Sequence, residues 1–157
     1  MRIIGIDPGT GILGFGVIDA HGAKTTLVSA GVVRTPAHTP LAERLGEIYD
    51  GLTEVIAETH PSIMSIEKLY FSQNVTTGIS VAHARGVAML AGYKSDLEIV
   101  EYTPLQIKQA MTGYGRADKK QMQELVRLQL GMAKPPKPDD CADALAAALM
   151  CAFSRRK

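Results

Sequence analysis

Apolar and polar positions along this chain follow two different periods, and the changes of period mark its elements. Arg2 to Asp7 is a short apolar run ending in an acid, the pattern of a buried strand. Gly11 to Ala20 and Lys24 to Arg34 repeat strand character on either side of the His21-Gly22 turn signal, so three strands in succession predict an antiparallel meander. From Leu41 to His60 the period lengthens. Leu41, Leu45, Ile48, Leu52, Val55 and Ile56 recur at helical spacing, with Pro40 in the starting turn and Pro61 as a stop. Ser62 to Leu69 returns to strand character, Val75 to Tyr93 reads as a long helix bearing Ala and Gly, and Glu98 to Tyr102 as a short strand. Three helices follow, Pro104 to Met111, Lys119 to Leu130 and Cys141 to Ala152, separated by Gly113-Tyr114-Gly115 and Lys134-Pro135-Pro136-Lys137-Pro138.

Consecutive strands followed by strand-helix-strand alternation predict an α/β fold, a mixed five-stranded sheet flanked by helices. A right-handed crossover through the first helix makes the Ser62 strand parallel to the Arg2 strand. As neighbours, their C-terminal ends would lie about 5 Å apart, and those ends carry Asp7 and Glu67. At 157 residues, one domain spanning 1–157 is expected.

Composition adds exclusions. Apolar residues make up 46% with no tryptophan, and mean hydropathy is near zero, as in ordinary globular proteins. Met1 leads straight into the first strand and no apolar stretch reaches membrane-spanning length, so a cytoplasmic protein without membrane association is expected. The two cysteines, Cys141 and Cys151, lie on one predicted helix at neither a redox nor a zinc-finger spacing, and read as reduced core thiols. The net charge of +1 does not mark a nucleic-acid binder, but its distribution is uneven. Residues 101–157 hold ten Lys/Arg against six Asp/Glu, whereas the first hundred hold seven against ten.

The acids carry the candidate chemistry. Asp7 and Glu67 each end an apolar strand, where a carboxylate is costly unless paired, metal-bound or solvated. Asp139, Asp140 and Asp143 open the last helix, and Asp140 and Asp143, three apart, share a face. Four carboxylates from distant segments that converge would repel one another unless a divalent cation joined them. All-oxygen ligation favours Mg²⁺, with Mn²⁺ able to substitute, and two ions about 3.5 to 4 Å apart suit in-line displacement at a phosphodiester. One ion would activate a water and the other stabilise the leaving 3′ oxygen, giving 5′-phosphate and 3′-hydroxyl ends. Plainer readings stand beside this one. Asp139, before the helix, reads as an N-cap, Asp140 has the same capacity, and Glu67 alone could be a surface acid. The Gly5-Ile6-Asp7-Pro8-Gly9-Thr10-Gly11 turn is also a plausible phosphate cradle, as in sugar kinases and actin-like ATPases. Those proteins close two domains around ATP, for which this length leaves no room, so a phosphotransferase ranks second.

The chain resembles the RuvC family of Holliday junction resolvases over nearly its whole length. The likeness is carried by Gly5-Ile6-Asp7-Pro8-Gly9, Ile66-Glu67, Ala84-Arg85-Gly86-Val87-Ala88, Gln106-Ile107-Lys108-Gln109, Gly113-Tyr114-Gly115-Arg116-Ala117-Asp118-Lys119 and Asp140-Cys141-Ala142-Asp143-Ala144-Leu145. The resemblance implies an RNase H-like, homodimeric, metal-dependent endonuclease that resolves four-way junction DNA in recombination and repair by paired nicks. It places metal ligands at Asp7, Glu67, Asp140 and Asp143 and leaves Asp139 outside the pattern; the third ligand varies in kind within the family. It sets Lys108 and Lys119 near the scissile phosphate, and Arg116 and Lys120 beside Lys119 extend that cationic patch. An aromatic enters the junction centre, matching Tyr70 with Phe71 beside it. The small residues Ala82, Ala84, Gly86, Ala88, Ala91 and Gly92 of the long helix fit either core packing or a dimer seam. A branch-migration helicase of the RuvA-RuvB type is the implied partner.

Overall fold

The computed structural model describes residues 1–69, 75–113 and 115–155. The elements are β1 (Arg2–Asp7), β2 (Ile12–His21), β3 (Lys24–Arg34), α1 (Leu41–Thr59), β4 (Ile63–Glu67), α2 (Val75–Lys94), β5 (Glu98–Tyr102), α3 (Pro104–Thr112), α4 (Lys119–Gln129) and α5 (Asp139–Ser154). The strands form one sheet in the order β3-β2-β1-β4-β5. β1, β2 and β3 make the expected antiparallel meander, and β4 lies parallel to both β1 and β5. The last helix begins at Asp139, two residues earlier than its apolar pattern announces, because Pro138 takes the N-cap position and Asp139 and Asp140 form an acidic first turn that suits the positive end of the helix dipole.

Strand alternation sorts the side chains between two cores. Ile4, Ile6, Leu13, Val17, Met64 and Ile66 point to one face, where Ile48, Leu52 and Ile56 of α1 and Ala84, Ala88 and Ala91 of α2 cover them. Ile3, Ile18 and Ile63 point to the other, against Leu145 and Leu149 of α5, with Ile107 of α3 and Met122 and Val126 of α4 beside them. The same period puts Gly5 and Asp7 of β1, and Ser65 and Glu67 of β4, on the α5 side.

Glycines in strand interiors let α5 approach the sheet at backbone distance. A Cβ at Gly5 would run into the carbonyl of Ala144, one at Gly14 would stand 3.0 Å from Asp140 Cβ, and one at Gly16 would stand 2.6 Å from Leu145 Cδ2. The buried Ser65 hydroxyl donates to the Ala147 carbonyl at 2.6 Å, tying β4 to the same helix. Cys141 and Cys151 are buried free thiols, as expected. Among the described residues no helix is long and apolar enough to cross a membrane.

Candidate active site

Ile6 and Ile66 are partners in the parallel β1–β4 ladder, so Asp7 and Glu67, the next residue on each strand, emerge side by side from its C-terminal end. They line a cleft of about 300 Å³ together with Asp143 of α5, Lys108 of α3 and Lys119 of α4; Ile107, Met122 and Ala146 form part of its apolar wall. Asp140 does not line the cleft. It sits where α5 crosses Gly14, the residue paired with Asp7 in the β1–β2 ladder, and its charge reaches Asp7.

The electrostatics report this convergence. Burial first, then the charges of Asp143, Asp140 and Glu67, push the Asp7 carboxyl up to about 7, with Lys119 working the other way. Glu67 is raised by burial and by Asp143, against Lys108. Asp143 is raised by burial, against Lys119. Among the described residues, no three carboxylate, imidazole or thiol groups form a ready-made ligand shell around one point. The acids instead share a cleft in which each resists the ionisation of the others, and a hard cation with oxygen ligands relieves that cost.

Capping boxes fix the helices that bring the lysines. The Thr103 hydroxyl accepts from the Gln106 amide at 3.1 Å while Gln106 Oε1 accepts from the Thr103 amide at 2.8 Å, which starts α3. Asp118 and Gln121 make the same reciprocal pair, at 2.8 and 3.0 Å, and start α4 at Lys119. Lys119 Nζ lies 3.2 Å from Asp139 Oδ2 and 3.6 Å from Asp143 Oδ2. Burial pulls the Lys119 ammonium down, but its bond to Asp139 and the charges of Asp143, Asp139 and Asp140 outweigh that and hold it above its ordinary value. The expectation that Asp139 caps α5 is corrected here. Its side chain makes no cap bond and turns instead to α4, where it takes Lys119 and accepts from Gln123 Nε2 at 2.8 Å.

The other expected residues do not enter the cleft. Arg116 is exposed outside its lining, and Lys120 borders a separate groove between α3 and α4 with Met111, Glu124 and Leu125. Tyr70 and Phe71 lie outside the described residues. One residue to which sequence reasoning gave no role, though it lies in a segment that carries the resemblance, is Arg85 of α2. Its Nε donates to the Glu67 carbonyl at 3.0 Å and its guanidinium pairs with Glu101, clamping the ends of β4 and β5. The available signal was a lone arginine among the small and apolar residues of that helix.

Residues 3–151 match the protein family described as "Crossover junction endodeoxyribonuclease RuvC". Proteins of that name from Rubrobacter xylanophilus and Desulfitobacterium hafniense are 50% and 51% identical over 154 residues, covering 98% of this chain and 86% and 93% of theirs. The structure of Thermus thermophilus RuvC in complex with a Holliday junction substrate superposes with a TM-score of 0.94 at 36% identity, over 99% of this chain and 95% of that one. The fowlpox virus resolvase, at 14% identity and a TM-score of 0.64, shares the fold.

Proposed function

The chain belongs to the RuvC family of crossover junction endodeoxyribonucleases and is a nuclease that resolves Holliday junctions; from that premise we propose which of its residues act and how. The whole of residues 1–157 serves as one RNase H-like domain. Asp7, Glu67, Asp140 and Asp143 hold two Mg²⁺ ions, a cofactor that Mn²⁺ replaces. The observation that carries this reading is the gathering of Asp7, Glu67 and Asp143 in one cleft, with raised carboxyl pKa values, opposite Lys108 and Lys119.

Bound there, the metal supplies Lewis-acid polarisation of the phosphodiester and lowers the pKa of water. The chain's own groups do the rest. Lys108 and Lys119 hold the scissile phosphate by charge, Asp139 and Gln123 steady the first turns of α5 and α4 relative to one another, and Arg85 keeps Glu67 at its strand end. Tyr70, with Phe71 beside it, stacks on an unpaired base at the junction centre, while Arg116 and Lys120 meet the flanking backbone. A second copy completes the enzyme. A four-way junction is nearly two-fold symmetric, so a C2 dimer presents two identical sites to opposed strands. The exposed stripe Ile79, Leu90 and Tyr93 on α2 supports that helix as the seam. The protein works in the cytoplasm beside a branch-migration helicase of the RuvA-RuvB type.

The test is a synthetic four-way junction and a matched linear duplex, each with and without Mg²⁺. Wild type nicks the junction, only with Mg²⁺, leaving 5′-phosphate ends. Asp143→Asn abolishes cleavage while junction binding stays intact or tightens, because a charge that repels phosphate is removed with the ligand. Loss of binding together with cleavage assigns Asp143 to the fold instead, and ATP turnover without nicking favours the phosphotransferase reading.

A further inference from the structure

Three cations stand at the same end of the sheet as Asp7, on its β3 side, and the cleft uses none of them. β3 and β1 are each antiparallel to β2, so the C-terminal end of β3 shares an edge with Asp7, and that end is Arg34. Arg34 pairs with Ile12, two residues before Gly14, and so it lies on the α5 side as well. Its charge reaches the Cys141 thiol, whose Sγ lies 3.7 Å from the Lys137 carbonyl. Arg34 and Lys137 therefore flank the start of α5 together, and both are exposed.

Arg44 reaches this rim from the first turn of α1, against Gly11. Its Nε donates to the Thr35 hydroxyl at 2.8 Å, Thr35 donates to the Thr10 carbonyl at 2.6 Å, and the Thr10 hydroxyl donates to the Ser80 carbonyl at 2.8 Å. Thr10 and Thr35 are buried, so this guanidinium sits on a fixed base. None of the ion pairs among the described residues engages Arg34, Arg44 or Lys137.

β3 lies two strand spacings from β1, about 10 Å, and β5 stands about as far on the other side. Cations thus border the acids on two sides, Lys108 and Lys119 within the cleft and Arg34, Arg44 and Lys137 about 10 Å away toward β3. Cations outside every such ion pair, set beyond the cleft on the β3 side, suit a polyanion that continues past the cut in that direction. We propose that Arg34, Arg44 and Lys137 form a second phosphate-binding strip, which holds the backbone of the junction arm leaving the cleft on the β3 side. The proposal rests on the nuclease reading above.

The experiment compares wild type with Arg34→Gln/Lys137→Gln and with the triple variant that adds Arg44→Gln. Binding to a synthetic four-way junction is measured without divalent metal from 50 to about 300 mM NaCl, a range over which phosphate contacts separate. Each lost contact lowers the slope of log affinity against log salt by about 0.9; a dimer carries two strips, so the double variant loses about 3.6 units and the triple about 5.4. Affinity at low salt falls at least tenfold, and cleavage at saturating junction with Mg²⁺ stays within about twofold of wild type. The double variant leaves the Arg44–Thr35 bond intact, so it reads the strip even where the triple fails to fold. Unchanged slope and affinity in the double variant overturn the strip. A wild type that neither binds nor nicks the junction overturns the nuclease reading instead.

Discussion

Asp7 carries the clearest electrostatic cost in the molecule, a carboxylate half-buried at a strand end with three other acids acting on it. Its folded pKa of about 7 lies above its ordinary value of 3.8, so ionisation is harder in the folded chain than in the unfolded one. The sign follows: the penalty is absent below pH 3.8, grows between the two values and is complete above 7. In EDTA, Asp7→Asn therefore raises the melting temperature at pH 8 by at least ~2 °C, the shift that about 1 kcal/mol produces at this chain length. Near pH 3.8 the difference vanishes, and scanning calorimetry at both pH values checks it. Asp139 sits at the mild end of the same cluster. Its pair with Lys119 is more than half exposed on both sides, and such pairs contribute about 0.2–1 kcal/mol. Asp139→Asn should then leave junction binding intact or tighten it, by no more than about fivefold, measured by titration of a labelled junction. Asp7 and Glu67 were readable as candidates because an acid closing an apolar run is anomalous by itself. Asp139 was misread, since an acid before a helix looks like a cap and its true partners lie across a proline-rich loop on another helix.

At the scale of elements, α5 decides where two of the four acids stand. It can lie on β1 and β2 only because Gly5 and Gly14 offer no side chain to its backbone. Gly5→Ala puts a methyl group into the Ala144 carbonyl, and overpacking of that kind typically costs about 1–3 kcal/mol. Urea unfolding should show a loss at the upper end of that range or beyond, together with slower cleavage as α5 is displaced. Gly46→Ala, on the exposed side of α1 with nothing within 4 Å, should instead stabilise by about 0.5–1 kcal/mol. A shared loss in both variants would show that glycine flexibility, not close approach, matters at Gly5. The strands, the crossover and the β1–β4 pairing were legible because Ile3 to Ile6 and Ile63 to Ile66 are short continuous runs of the kind found in strands covered on both faces. The seat of α5 was not. A glycine in a strand announces that something approaches, without saying which of the later helices it is.

At the scale of the whole molecule, α2 carries an apolar stripe that the described residues leave uncovered. Ile79, Leu90 and Tyr93 of α2 are 50%, 50% and 73% exposed and lie on one face at helical spacing. Leu90→Glu should convert the protein to a monomer by light scattering while leaving its melting temperature within a few degrees, and paired nicking of a junction should give way to single nicks. An unchanged mass would place the seam elsewhere. A last consequence concerns synthesis. The cleft takes Asp7 from the first strand, Glu67 from the fourth and Asp143 from the last helix. At roughly 5–20 residues per second, a ribosome needs several seconds to pass from Glu67 to Asp143. Throughout that interval the nascent chain carries paired acids and no α5 to complete them. With the proposed ligand set, a chain whose final helix has not yet docked lacks Asp143 and should not nick DNA, and a fragment that stops short of that helix should be equally inert.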